Sequence, residues 1–437
     1  MRVLFILDPF QVEPLGIGYL ASALKWAGIE TDWLKANDER LINKICAYSP
    51  GVLAYSVSTG KHQKFIALNQ EIKKQHSAIS VFGGSHPTYY PEMIRENGVD
   101  IIIRGEAEQS FIEILNSLHT KGISKRVFEF YPLNQDLDSI AFPDREFLYK
   151  YQENLNNPIK NVLTSRGCRF SCPYCFNSVY RGFYRDQKWV RYRSPENVID
   201  ECLDLMQYPL GMIYFQDDEF LTNPGIDELL HLYRKSINIP FHCQIRIELL
   251  TDEVARELKV SGCSGVTFAI ESGNDHIRRE LLSRRMSKKT IIAGAERLHR
   301  HGLKFRIENM IGLPGENFDQ MLDTLDINIR CRPTYGWASI FQPYPRLPLT
   351  EYARELDLWD GNVDDFCETF FEKTALKTNL AKEITNIQRL FGLAVNFPIL
   401  RKPIRWFAKL PNNMIYEKLC SWWKQKRFRQ LYSEAYK

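Results

Sequence analysis

Cys168-Arg-Phe-Ser-Cys172-Pro-Tyr-Cys175 places three cysteines within eight residues. It follows Asn161-Val-Leu-Thr-Ser-Arg-Gly, which reads as a short strand ending in a glycine turn. Thiolates are soft ligands that suit zinc, copper(I) or iron–sulfur clusters. The x3 then x2 spacing lets one loop wrap a metal centre and present three sulfurs to it. A structural zinc site is closed by four ligands, and most iron–sulfur clusters take four cysteines. The next cysteine is Cys202, and no histidine lies near. Three ligands leave one metal position open, as catalysis requires. A zinc knuckle or a chance group of core cysteines is the alternative.

Downstream of this loop the sequence alternates between strand and helix patterns. Strands are expected at Val162, Met212–Phe215, Phe241–Ile247, Gly265–Ile270, Phe305–Ile311 and Trp337–Phe341. Helices are expected at Pro195–Gln207, with Ser194 as N-cap before a first-turn proline, and at Gly225–Ser236, Thr251–Ser261 and Lys288–His301. Six right-handed βα units close toward a barrel, with a site at the strands' carboxyl ends. Polar groups at those ends therefore become candidates: Asp217-Asp218-Glu219, Arg246, Glu271-Ser272-Gly273, and Ile311-Gly312-Leu-Pro-Gly-Glu316.

Upstream, strands at Val3–Leu7, Thr31–Leu34, Val52–Val57, Ile79–Phe82 and Ile101–Ile103 alternate with helices near Gly16–Ala27, Lys61–His76, Pro91–Glu96 and Glu108–Leu118. That pattern predicts a doubly wound parallel sheet covered on both faces. Ligands bind such sheets at the strands' carboxyl ends. Two loops stand there: Gly83-Gly84-Ser85-His86-Pro87-Thr88 and Arg104-Gly105-Glu106-Ala107-Glu108. No G-x-G-x-x-G phosphate loop is present, which argues against a nicotinamide cofactor.

The chain has 437 residues, 44% hydrophobic and 25% charged, with a net charge of +4. It is an ordinary globular composition, and the charge is too weak to point to nucleic acid. The seven cysteines outside the loop are scattered and read as reduced core residues, which places the protein in the cytoplasm. No run is long enough to span a membrane. Residues 399–432 interleave Arg and Lys with Trp406, Phe407, Trp422, Trp423, Phe428 and Tyr432. They read as a helical lid with a solvated basic face or as a peripheral membrane contact.

The cysteine loop, with Tyr174 before its last cysteine, resembles the signature of the radical S-adenosylmethionine (SAM) enzymes. Pro14-Leu-Gly-Ile-Gly-Tyr-Leu-Ala, Gly83-Gly-Ser-His-Pro-Thr and Arg104-Gly-Glu-Ala-Glu resemble, in order, landmarks of the cobalamin (B12)-binding domain that precedes the radical SAM barrel in one large subfamily. The resemblance covers roughly residues 1–345. It implies a Rossmann-like cobalamin-binding domain over 1–125, a linker over 126–157, a partial (β/α)6 barrel over 158–345 and a helical C-terminal domain over 346–437. It implies that Cys168, Cys172 and Cys175 hold a [4Fe–4S] cluster. SAM is then met by Tyr174, Asp217, Asp218, Arg246, Glu271, Ser272, Ile311 and Gly312, with Arg246 on its carboxylate. Cobalamin is met by Gly83, Gly84, Ser85, His86, Gly105 and Glu106. The Asp-x-His-x-x-Gly motif that supplies a lower cobalt ligand in mutases is missing, so no such ligand is assigned.

The activity implied is reductive cleavage of SAM to a 5′-deoxyadenosyl radical, hydrogen abstraction, and methyl transfer from methylcobalamin to an unactivated carbon or a phosphinate. Oxidative cyclisation or rearrangement with the same cofactors is the alternative, and a non-catalytic metal-binding protein is another. The partners implied are a small-molecule or lipid-like substrate and an electron donor such as flavodoxin or ferredoxin, with no nucleic acid.

Overall fold

Strand β1 (Arg2–Leu7) has five consecutive buried residues, Val3 to Leu7, so both its faces are covered. It is the second strand of a six-stranded parallel sheet in the order β2-β1-β3-β4-β5-β6, with β2 Glu30–Lys35, β3 Val52–Ser56, β4 Ile79–Gly83, β5 Ile101–Ile103 and β6 Val127–Phe128. The structure is a computed structural model and describes residues 1–120 and 126–437. Residues 121–125, expected to end the first domain, lie outside the described residues.

The first compact unit comprises Met1–Asn157, Phe183–Lys188 and Val363–Glu368. The expected doubly wound sheet is present. The expected linker differs, because 126–157 adds β6 to the sheet edge and packs onto this unit. Its attachment is tertiary. Arg145 donates to Glu13 at 2.7 Å, the Tyr149 hydroxyl donates to the same carboxylate at 2.7 Å, and the Trp33 indole donates to the Phe147 carbonyl at 2.7 Å. Breaking one member of a buried ion pair costs about 3–5 kcal/mol, which makes this strap an integral part of the unit. No hydrophobic period marks such anchors, so the stretch reads as a connector.

The second unit comprises Pro158–Gly182, Trp189–Asn362 and Thr369–Lys437. Six parallel strands run in the order β14-β13-β12-β11-β10-β7. They are β7 Ile159–Val162, β10 Met212–Phe215, β11 Phe241–Gln244, β12 Cys263–Glu271, β13 Lys304–Ile311 and β14 Tyr335–Ile340. β7 and β14 are the two edges of this sheet, so it is an open, partial barrel. A two-stranded antiparallel ribbon, β8 (Ser165–Arg166) with β9 (Arg191–Tyr192), brackets the cysteine loop. Ser194 caps the helix Pro195–Leu205 as expected, accepting from the Asn197 N–H at 3.2 Å.

The C-terminal region is helical and belongs to the barrel unit. Ile384, Ile387, Phe391 and Val395 share one core with Ile311, Ala338 and Ile340. Leu431, Tyr432 and Ala435 pack on Ile159, Met212 and Tyr214. Ile159 and Met212 begin their strands, so the chain's end closes the amino end of the barrel, opposite the mouth. The lid reading is corrected on this point.

Candidate functional site

A cavity of about 220 Å³ lies at the carboxyl ends of the barrel strands. Cys168, Cys172 and Cys175 line it from the loop after β7, with Phe170, Tyr174 and Asn177. Asp218 follows β10, Gln244 ends β11 with Ile245 and Arg246 just after it, Thr267, Phe268, Ala269 and Glu271 belong to β12, Glu308 to β13, and Arg284 comes from the segment after β12.

Glu271 is built into an unusual backbone. It sits at φ +64° beside a register shift in the β12–β13 pairing. Non-glycine residues rarely occupy that region, and such strain clusters at functional sites. What fixes it is Gly273, where a Cβ would lie 2.1 Å from the Asp323 carbonyl oxygen. The Gly273 N–H donates to Thr324 Oγ1 at 2.8 Å, so the turn lies flat on the helix Phe318–Cys331. Burial pushes the Glu271 carboxyl up to about 7, against the nearby Arg284 guanidinium, which pulls it down.

Arg284 was not anticipated from sequence. It donates to the Tyr174 hydroxyl at 3.0 Å and to the Ala269 carbonyl at 2.7 Å, and it stands 3.7 Å from Glu271 Oε1. It therefore ties the cysteine loop to β12. Arg246 has partners inside the protein. Its Nε and Nη2 donate to Glu248 Oε1 at 2.8 and 2.5 Å, and its Nη1 points at Cys172 Sγ at 3.7 Å. Its guanidinium also stacks 3.8 Å from the Phe170 ring. Glu248 takes the Nε–H and one Nη2 N–H, which leaves the Nη1 and Nη2 edge of Arg246, a lining residue of the cavity, for a ligand.

The acidic strand end also separates. Asp218 lines the cavity, and burial raises its carboxyl while the Asn177 side chain lowers it. Asp217, two residues past the end of β10, turns away from the cavity. It is fully buried and accepts from the Thr164 N–H at 3.0 Å, the Thr164 hydroxyl at 2.9 Å and the Ser165 hydroxyl at 2.5 Å. Burial still raises it to about 6. Asp217 is thus a brace for the start of the cysteine loop, a correction to its reading as a cofactor contact. Ser272 is buried and its hydroxyl accepts from the Asn274 N–H at 3.2 Å, shaping the turn. Ile311 sits in the core, and the Gly312 N–H donates to Glu316 at 2.8 Å in a self-capped turn. None of Asp217, Ser272, Ile311 and Gly312 is among the cavity's lining residues.

Gln244, Thr267 and Glu308 were also missed. Thr267 pairs with Gln244 in register, and Glu308 pairs with Ala269. The signal was present in β13, where Lys304, Arg306 and Glu308 alternate with buried Phe305 and Ile307. A polar residue at every second position of a barrel strand marks the face that looks inward.

The donor set suits a cluster with three protein ligands. Soft thiols line the cavity, and burial raises Cys168 to about 11 and Cys175 to about 12. Among the described residues, no three His, Cys, Asp or Glu side chains converge on a single-ion site. A cubane offers a separate iron to each thiolate, so sulfurs spread around a cavity fit it. Guanidiniums and carboxylates in the same cavity suit a zwitterion such as SAM.

In the first unit the loops after β4 and β5 hold the other candidates. Gly84 adopts φ +93°, and a Cβ there would lie 2.7 Å from the Val57 nitrogen. Gly83 precedes it, and Ser85 opens the short helix Ser85–Tyr89. Gly105 adopts φ +85°, its N–H donates to Thr88 Oγ1 at 3.3 Å, and Glu106 follows it. His86 is 1% exposed. Its Nδ1 meets Thr59 Oγ1 at 3.0 Å, and its ring stacks 4.0 Å from His62. Its Nε2 is buried with no hydrogen-bond partner among the described residues. Burial lowers it to about 3, so the imidazole is neutral. An orphaned buried nitrogen beside two glycine turns fits a polar cofactor edge.

Residues 162–327 match the radical SAM superfamily model, and residues 1–115 match the B12 binding domain model. The two together define a class, the cobalamin-binding radical SAM enzymes, and the chain belongs to it. The cofactors of that class are a [4Fe–4S] cluster, SAM and cobalamin. The chain is 28% identical over 392 residues to an uncharacterised methyltransferase, PH0819, of Pyrococcus horikoshii, covering 81% of this chain and 83% of the relative. It is 24% identical over 400 residues to cytidylyl-2-hydroxyethylphosphonate methyltransferase of Streptomyces wedmorensis, covering 73% of each. In fold it is similar to the radical SAM methyltransferase TsrM of Kitasatospora setae, with a TM-score of 0.66 at 17% identity over 81% of this chain and 76% of that one. It is similar also to the cobalamin-dependent SAM radical enzyme OxsB, with a TM-score of 0.66 at 16% identity over 99% of this chain and 71% of that one. Among the described residues no helix is long and apolar enough to cross a membrane.

Proposed function

We propose that the protein is a C-methyltransferase that acts on a small molecule, at an unactivated carbon or a phosphinate. The observation that carries this reading is the single cavity where Cys168, Cys172 and Cys175 meet charged groups of both signs at the strands' carboxyl ends. When bound, the cluster and cobalamin would supply reductive cleavage of SAM and a methyl group that a substrate radical can accept.

The chain's residues bind and orient. Cys168, Cys172 and Cys175 would hold the cluster at the cavity that SAM would enter. Asp218 and Glu271 offer carboxylates to the SAM ammonium, and Arg284 holds Glu271 and Tyr174 in place. Phe170, Ile245 and Phe268 give the cavity an apolar wall that keeps water from a reactive species. In the first unit, the glycine turns at Gly84 and Gly105 would let backbone N–H groups approach cobalamin, and His86 Nε2 would meet a polar group of it. A flavodoxin- or ferredoxin-like protein supplies the electron.

The test is anaerobic purification with iron, sulfide and cobalamin, followed by reduction in the presence of SAM carrying a deuterated methyl group. Iron and cobalt counts, 5′-deoxyadenosine and label transfer are read together. Label in the product supports methyl transfer. 5′-Deoxyadenosine with loss of hydrogens and no label refutes it in favour of oxidative cyclisation.

A further inference from the structure

The terminal helix Met414–Leu431 carries two apolar stripes. Tyr416, Trp423 and Leu431 form one, and they are buried against the barrel unit. Ile415, Leu419 and Trp422, spaced i, i+4 and i+7, form the other, turned about 100° away. They are 67%, 39% and 53% exposed, and Met414 beside them is 66% exposed. A surface helix of a globular protein ordinarily has one apolar stripe and a polar remainder, and the second stripe lacks a covering partner among the described residues.

Neighbouring elements extend this face. Phe397, Ile399 and Trp406 are 48%, 84% and 63% exposed. Phe397 stacks 5.3 Å from Trp423, whose ring is 5.5 Å from that of Trp422. The Tyr416 hydroxyl reaches the Phe407 carbonyl at 3.4 Å, and Trp406 packs on Phe407 at 5.3 Å. The protruding side chains stand on a fixed base. The Asn386 amide donates to the Ala408 and Leu410 carbonyls at 3.0 and 2.8 Å, and Arg401 grips Asp326. Charge is one-sided. Residues 397–430 hold nine Lys and Arg against Glu417 alone. Lys402, Lys409, Lys418, Lys426 and Arg429 are exposed and pair with no carboxylate among the described residues.

We propose that this face docks on an anionic lipid bilayer. The aromatic and aliphatic side chains enter the boundary between headgroups and acyl chains, and the lysines around them meet lipid phosphates. A protein partner fits less well. Protein interface cores are depleted in lysine, and Ile399, Trp406, Met414 and Ile415, 63–84% exposed, protrude rather than line a groove. The inference is independent of the methyl-transfer reading, because neither the cavity nor its residues take part.

The test is sedimentation of the full-length protein with vesicles of phosphatidylcholine alone or with phosphatidylglycerol added, at fixed salt. Wild type should partition onto the anionic vesicles at least tenfold more than onto neutral ones. The double variant Trp406→Glu, Trp422→Glu should lose at least tenfold of that binding while keeping its thermal midpoint and iron content. A second variant, Lys418→Glu with Lys426→Glu, should lose binding and its salt dependence together. Equal partitioning of wild type onto both vesicles, or onto neither, overturns the proposal. So does a wild-type dimer in solution that the tryptophan variant dissociates, since the face would then belong to a second copy.

Discussion

Replacing Arg284 by methionine should damage both stability and SAM binding, and the structure sets the scale. The side chain is 6% exposed and holds three groups: Tyr174, Ala269 and Glu271. Truncating one partner of a buried charge pair costs about 3–5 kcal/mol, and each lost charge-assisted hydrogen bond contributes about 1.5–3 of that. A loss of about 4 kcal/mol is therefore expected in urea unfolding at pH 7.5, read as a lower midpoint at unchanged slope. Glu271→Gln behaves differently. A carboxyl raised to about 7 from 4.5 costs on the order of 3 kcal/mol in its charged form. Because the folded state holds this proton more tightly, its stabilising contribution is complete below about pH 4.5 and is lost as pH rises through about 7. Glu271→Gln should flatten that slope. In the double variant it should also restore about 2 kcal/mol of the Arg284→Met loss, because the stranded carboxylate is gone. SAM affinity, measured by equilibrium dialysis, should fall at least tenfold in each single variant. An Arg284→Met midpoint within about 1 kcal/mol of wild type, or strictly additive variants, would refute the reasoning.

The two adjacent aspartates should part company. Asp217→Asn should lower stability by about 1–3 kcal/mol by leaving loop donors mismatched, while Asp218→Asn should leave the unfolding midpoint in place and weaken SAM binding. Gly84→Ala should destabilise the first unit by about 1–3 kcal/mol and lower cobalt retention, since its Cβ would meet the Val57 backbone at 2.7 Å in a left-handed conformation. Arg246→Gln removes an N–H aimed at Cys172 Sγ. Hydrogen bonds to the sulfurs help set cluster potentials, so the reduction midpoint followed by electron paramagnetic resonance should fall, and an unchanged midpoint would mean that the 3.7 Å approach is not kept in the loaded protein.

How far the sequence could be read depended on the range of the cause. Cys168, Cys172 and Cys175 were legible because their spacing is local, and Gly84 because a doubled glycine at a strand end has few other uses. Both sheets followed from the apolar runs. Asp217 was misjudged because both aspartates follow the end of β10, and only the donors at Thr164 and Ser165 show which of them turns inward. Glu248, two residues beyond Arg246, could have warned that the guanidinium was already engaged. Arg284 had no local mark at all, since its partner Tyr174 lies 110 residues away. The strap at 126–157 is the same case, fixed by Glu13 and Trp33 rather than by any period of its own.

The run Asp217-Asp218-Glu219 shows what that division means for the site. Asp217 is spent on loop donors, and Asp218 faces the cavity. Glu219 is 4% exposed, accepts from the Leu221 N–H at 3.0 Å, and is raised by burial to about 8. Burial favours the neutral form of all three acids, and Asp217 and Glu219 do not line the cavity. Keeping them there costs stability that an apolar pair of like size would not. The return is positional: Asp217 sets where the strand before the cysteines stops, and Glu219 fixes the turn after Asp218. Asp218, the acid of this run that meets the cavity, is consequently held from both sides. A single acid on a free loop would offer the same charge without the aim, and transition-state chemistry at a cluster depends on the aim.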